Sequence, residues 1–119
     1  MKQIKKVVKY GLKFDSKLEL FFYELCRSEK IEFDFQVPYE LHPSFKYQKS
    51  TVRAMTLTVD FDFTDKGRNI IVDTKGFQRN DNKLKWKLLK WGLSDTQPHI
   101  FLPKNQKECH EVLEFIKKL

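Results

Sequence analysis

The spacing of apolar residues changes period several times along the chain, and each change predicts an element. Leu18, Phe21, Phe22 and Leu25 recur at helical spacing between Ser16 and Glu29, with Asp15 or Ser16 placed to cap the start. Phe33, Phe35 and Val37 then alternate with Glu32, Asp34 and Gln36, which predicts a half-buried strand that Pro38 ends or bends. A second alternating run puts Leu57, Val59, Phe61 and Phe63 on one face and Asp60 and Asp62 on the other. The Asp65-Lys66-Gly67-Arg68 turn closes a hairpin onto a third strand, Asn69 to Lys75. Asn82 to Trp91 reads as a helix with a stripe of Leu84, Leu88 and Trp91, stopped by Gly92. Pro98 to Leu102 is a short strand, and Cys109, Val112, Leu113 and Ile116 mark a last helix.

The order is therefore α-β-β-β-α-β-α. It predicts an α/β (α+β) fold: an antiparallel meander, a helical crossover into a last strand, and a mixed sheet flanked by helices. The chain has 119 residues, a length that suits one domain spanning residues 1–119. No stretch is long and apolar enough for a membrane span, and the basic start, Met1 to Lys9, lacks the apolar run of a signal peptide. Cys26 and Cys109 fall on apolar helix faces without a paired ligand motif, as reduced core cysteines of a cytoplasmic protein would.

Charge adds a functional hint. Lys and Arg number 23 against 16 acids, for a net charge of +7, and this excess favours a polyanionic partner such as nucleic acid. Lys83, Lys87 and Lys90 share one side of the second helix as a possible phosphate-binding stripe. Lys46, Lys49 and Arg53, in the polar connection before the second strand, could contact a DNA backbone in the same way. For any single lysine of the second helix, an ordinary solvated face is the better reading. His42, His99 and His110 lack ligand spacing and read as structural or exposed. Trp91 reads as core, while Trp86 is open between base stacking and packing, including packing across a subunit interface.

The apolar strand "IIVDTKG" ends on Asp73 and Lys75, which project from one face. Asp60 or Asp62 on the neighbouring strand can lie beside Asp73. Two carboxylates that close call for a proton or a cation between them, and Mg²⁺ is the natural ion where phosphates are the other ligands. Lys75 could then serve an attacking water or a growing phosphate charge. A solvated strand end is the plain alternative. Glu19 lies at the edge of the first helix's apolar face, but Ser16-x-x-Glu19 is also a capping box, which the spacing favours.

An early helical Glu, an Asp on the second strand, Asp-x-Lys on the third and a Lys-rich helix after it resemble the PD-(D/E)XK nuclease superfamily. "GLKFDSKLELFFYEL", "RAMTLTVDFDF" and "IIVDTKGF" look more narrowly like a phage-encoded group related to Holliday-junction resolvases. The resemblance spans roughly Tyr10 to Gly92. It implies a restriction-endonuclease-like core and a catalytic set of Glu19, Asp60, Asp73 and Lys75. Asp60, Asp73, the Thr74 carbonyl and Glu19 would hold Mg²⁺, with Mn²⁺ as a substitute. Val59 stands where the superfamily often has Pro, and Asp62 is an alternative ligand on the same face as Asp60.

The implied function is metal-dependent hydrolysis of DNA phosphodiester bonds, on branched DNA such as Holliday junctions. Symmetric cutting of a four-way junction would need two active sites, hence a homodimer. The alternatives are a non-catalytic basic DNA-binding or nuclease-regulating module of the same fold, and a nicking or end-processing nuclease.

Overall fold

The computed structural model describes residues 6–75 and 82–119; Gly76 and the first five residues of the basic start lie outside them. The chain opens with a small hairpin, β1 (Val7–Lys9) and β2 (Leu12–Phe14). It turns at Tyr10 (φ 57°) and Gly11 (φ 73°), the pair of left-handed residues that a two-residue hairpin turn requires. Helix α1 (Lys17–Ser28) follows, then strands β3 (Asp34–His42), β4 (Phe45–Tyr47), β5 (Ser50–Val52) and β6 (Met55–Asp62). A 3₁₀ turn at Thr64–Lys66 leads to β7 (Ile70–Val72), and α2 (Asn82–Gly92), β8 (His99–Phe101) and α3 (Gln106–Lys117) complete the order.

The main sheet has the order β3-β6-β7-β8. Its first three strands are antiparallel, and β8 joins β7 in parallel after α2. This is the mixed sheet with flanking helices that the sequence predicts. Pro38 does not end its strand. It pairs with Thr58 inside β3, and it is tolerated because β3 is the sheet's edge and needs no donor on its outer side. The two small hairpins, β1–β2 and β4–β5, lie outside the predicted elements; each strand has three residues, too short for a periodicity to register.

Two apolar clusters cover the two faces of the sheet. Phe22, Tyr23 and Cys26 of α1 and Cys109, Val112, Leu113 and Ile116 of α3 pack on Phe61, Phe63, Ile70 and Val72. Rings meet edge to face in this layer, as Phe22 and Phe61 do with centroids 4.9 Å apart. Both cysteines are buried and free, and burial pushes each thiol up to about 12. On the opposite face, Trp86 and Leu89 of α2 pack on Leu57, Val59 and Ile71.

Helix α2 is rotated from the predicted stripe. Trp86 is 7% exposed, whereas Trp91 is 76% exposed and Leu84 also faces water. Trp86, Leu89 and Leu93, at i, i+3 and i+7, make the stripe that packs on this face of the sheet.

The strands depart from simple alternation at one level. Leu57 and Val59 face α2, but Phe61 and Phe63 face α1 and α3. The partner strand does the same, with Phe35 on the α1 side and Val37 on the α2 side. Between them stands Gln36 at φ 54°, in the left-handed region. Because both strands slip together, the register is the same at Phe35↔Phe61 and at Val37↔Val59, with Gln36 and Asp60 left unpaired between them. The predicted single row of Leu57, Val59, Phe61 and Phe63 is thus divided between two layers. The same slip separates Asp60 from Asp62.

Candidate active site

Glu19 enters the site from the first turn of α1. Ser16 is the N-cap, its hydroxyl accepting from the Glu19 amide at 3.1 Å. Glu19 Oε1 accepts from the Asp15 amide at 2.9 Å, so the predicted capping box forms, reaching one residue further back than usual. The cap uses only one oxygen. Glu19 is 0% exposed, and its Oε2 is buried with no hydrogen-bond partner among the described residues. A buried carboxylate oxygen without a partner is costly, and such an atom points to a ligand or a proton.

Asp60 is buried at the level of the strand slip, on the side where α1 packs. Its Oδ2 accepts from both the amide and the hydroxyl of Thr74, each at 2.8 Å, and its Oδ1 lies 3.7 Å from the Lys75 ammonium. Asp73, also buried, accepts from the Asp60 amide at 3.3 Å and from the Lys75 amide at 2.9 Å. The ends of β6 and β7 are therefore tied crosswise, each aspartate bonded to backbone beside the other. Lys75 is half-buried and also pairs with Asp15, the residue just before the cap of α1.

Asp15, Glu19 and Asp60 each present an oxygen, and these three atoms lie within 4.8 Å of one another. That spacing suits a cation with oxygen ligands. The predicted residues Glu19, Asp60, Asp73 and Lys75 are thus neighbours, with Asp15 added and with Asp73 bound to backbone at the rim of the three-oxygen cluster. Thr74 is present through its amide and hydroxyl.

The electrostatics are those of too many acids in too little water. Burial, and next the Asp60 carboxylate beside it, raise the Glu19 pKa to about 9. Burial and then the charge of Asp60 raise Asp73 to about 7. Burial alone would lower Lys75, but the charge of Asp60 and the bond to Asp15 outweigh it and raise the pKa, so the side chain remains an ammonium. The donor set fits a hard divalent ion: three carboxylate oxygens converge, and one buried Glu19 oxygen has no partner among the described residues.

Asp62 is excluded from this cluster. Its Oδ1 accepts from the amide and hydroxyl of Thr64 at 2.8 and 2.6 Å, and its Oδ2 from the Tyr39 hydroxyl. Tyr39 packs with the α2-side cluster, so Asp62 is turned to the other face from Glu19. Of the two acids that alternation left open, Asp60 is the one beside Glu19.

This chain belongs to the DUF1064 family. It matches residues 2–107 of the chain to that family, described as "Protein of unknown function (DUF1064)". The matched span contains Asp15, Glu19, Asp60, Asp73 and Lys75. Neither a curated protein nor a solved structure matches this DUF1064 chain.

Sequence reasoning missed two residues of the site. Asp15 was visible only as a possible cap; its pairing with Lys75 spans 60 residues and depends on tertiary structure. Alternation places Gln36 with Glu32 and Asp34 among the polar positions of a half-buried strand. At its positive φ it turns inward, and Nε2 donates to the Lys13 carbonyl at 3.0 Å and to Glu19 Oε1 at 3.5 Å.

The basic residues are all at the surface. Lys83, Lys87 and Lys90 lie along the exposed side of α2, and Lys46, Lys49 and Arg53 lie in and after the β4–β5 hairpin. Among the described residues none of these six has an ion-pair partner, so their charge is available to an outside anion. The histidines lie against rings: His99 against Phe115, His110 against Phe21 and His42 against Phe45. No helix among the described residues is long and apolar enough to cross a membrane.

Proposed function

We propose that this DUF1064 protein is a metal-dependent DNA endonuclease with a restriction-endonuclease-like core, acting on branched DNA. The observation that carries this reading is the convergence of Asp15, Glu19 and Asp60 oxygens within 4.8 Å, with Glu19 and Asp60 buried and the Lys75 ammonium alongside. A protein that only bound DNA would gain nothing from burying carboxylates beside an anion.

Asp60 and Glu19 would hold the ion, with Asp73 and the Thr74 carbonyl as the superfamily resemblance implies, and with Asp15 as the carboxylate that the geometry adds. Mg²⁺, or Mn²⁺ in its place, would neutralise phosphate charge and lower the pKa of a bound water. The chain's own part is positional. Thr74 fixes one oxygen of Asp60, and the crosswise bonds of Asp73 hold the strand ends together. The Asp15 carboxylate keeps the Lys75 ammonium over the site, where it can orient a water or balance charge on the phosphate. Unpaired cations on α2 and the β4–β5 hairpin would hold the DNA backbone.

The test is cleavage of a synthetic four-way junction, beside linear duplex and single strand, with and without Mg²⁺, using wild type and Asp60→Asn. Paired, metal-dependent cuts confined to the junction and lost in the variant are expected, with sedimentation reporting a dimer. Cutting of every substrate alike would retain the nuclease and discard its selectivity. Binding without cleavage in either Mg²⁺ or Mn²⁺ would make the protein a non-catalytic DNA-binding module.

A further inference from the structure

The β4–β5 hairpin stands outside both apolar clusters. It is held by the pairs Phe45↔Val52, Lys46↔Thr51 and Tyr47↔Ser50, and closes at Gln48 with φ 54°. An isolated two-stranded ribbon of this length is marginal in water, yet it keeps two rings in solvent: Phe45 is 48% exposed and Tyr47 66%. These two alternate with Lys46 and so share a face. Lys46 lies on the other face, where its ammonium donates to the Thr51 hydroxyl at 2.6 Å. Lys49 is in the turn and Arg53 follows the second strand. From Leu41 through Val59 the chain has no acid at all.

We infer that this hairpin docks unpaired nucleotides of a nucleic-acid strand, with Tyr47 and Phe45 stacking on bases and Lys46, Lys49 and Arg53 holding the flanking phosphates. The inference rests on the nucleic-acid part of the proposed function and specifies its substrate as DNA with an opened region. Two features decide the occupant. A surface with cations and no acids complements a polyanion, whereas a protein partner covering an apolar patch needs no such one-sided charge. Exposed rings need exposed base faces, and within a duplex those faces are already stacked on one another, so unpaired bases are the complement.

The experiment measures binding in EDTA, where cleavage cannot contribute. Fluorescence anisotropy would compare a single strand, a fork with unpaired arms and a blunt duplex, using wild type, Tyr47→Ala, Tyr47→Phe and the double variant Lys49→Gln/Arg53→Gln. Tyr47→Ala should weaken single-strand and fork binding about tenfold and duplex binding by less than about twofold, and Tyr47→Phe should restore both. The double variant should weaken all three and flatten the salt dependence by a slope of about 1.5 to 2. Unchanged binding by Tyr47→Ala, or an equal loss on all three DNAs, overturns the inference. So does loss of self-association in Tyr47→Ala with DNA binding intact, which would assign the face to a second copy of the chain. Cleavage that fails while Tyr47-dependent binding persists would remove the nuclease reading alone; cleavage with Tyr47-independent binding would remove the hairpin alone.

Discussion

The Lys75 ammonium is paired to Asp15, a residue 60 positions earlier, while lying 3.7 Å from Asp60. The start of α1 and the end of β7 thereby meet at the candidate catalytic centre. The Lys75 head group is held by this partner and by the charge of Asp60. Asp15→Asn should reduce the turnover of metal-dependent cleavage roughly 10- to 100-fold, the scale of a misplaced catalytic group. KM for DNA should stay near wild type, because Asp15 faces the buried carboxylates rather than the basic surfaces. Steady-state kinetics on the junction would separate the two; an unchanged turnover would remove Asp15 from the positioning of Lys75.

Glu19 and Asp73 make stability depend on pH and on metal. Both folded pKa values, about 9 and about 7, are raised above the ordinary 4.5 and 3.8. The folded state therefore binds more protons than the unfolded chain across that window. Their contribution to stability is full below about pH 4 and is lost as pH rises through 7 toward 9. Thermal melts in EDTA should show the melting temperature falling between pH 5 and 9, on the order of several degrees. Mg²⁺ or Mn²⁺ should raise it, and by more at pH 8.5 than at pH 6, because the ion takes the place of the protons. Glu19→Gln keeps an acceptor for the Asp15 amide while removing the charge, and should flatten the pH dependence and abolish the metal response. A metal response that survives in Glu19→Gln would take Glu19 out of the ligand set.

Asp62, buried, and Tyr39, half-buried, form a separate pair that provides a control. Tyr39→Phe removes the donor to Asp62 Oδ2 and should cost about 1–3 kcal/mol in urea unfolding. The Thr64 bonds to the other oxygen remain. Metal-induced stabilisation should persist at the wild-type level; its loss in Tyr39→Phe would show the two carboxylate networks to be coupled.

The tryptophans on α2 should part company in both fluorescence and stability. Trp86→Ala removes a ring from the α2-side cluster and should cost about 3–5 kcal/mol, whereas Trp91→Ala should lie within about 0.5 kcal/mol of wild type. Acrylamide should quench the Trp91 emission strongly and that of Trp86 weakly. Equal quenching of the two single-tryptophan variants would contradict the rotation of α2 described above.

The sequence by itself determined the order of the three helices and the four main-sheet strands, the antiparallel meander with a crossover into a last strand, and Asp73 and Lys75 at a strand end beside Asp60 or Asp62; Glu19 entered as a ligand only through the superfamily resemblance. It could do so because helix and strand periods repeat over eight or more residues in α1, β3, β6 and α3, and because an apolar strand ending on Asp73 and Lys75 is conspicuous. The tertiary structure alone decided the rest. Alternation along β6 cannot reveal that both β3 and β6 slip at Gln36 and Asp60, because the slip leaves their pairing register intact. That slip sends Asp60 toward Glu19 and Asp62 toward Tyr39. Helical periodicity likewise offers two stripes on α2, and only its packing on Leu57, Val59 and Ile71 selects Trp86 over Trp91. Asp15 joins the site through a contact far along the chain, which no local pattern encodes. Local sequence fixes which face a side chain takes relative to its neighbours; the packing of one element on another fixes which face is inside.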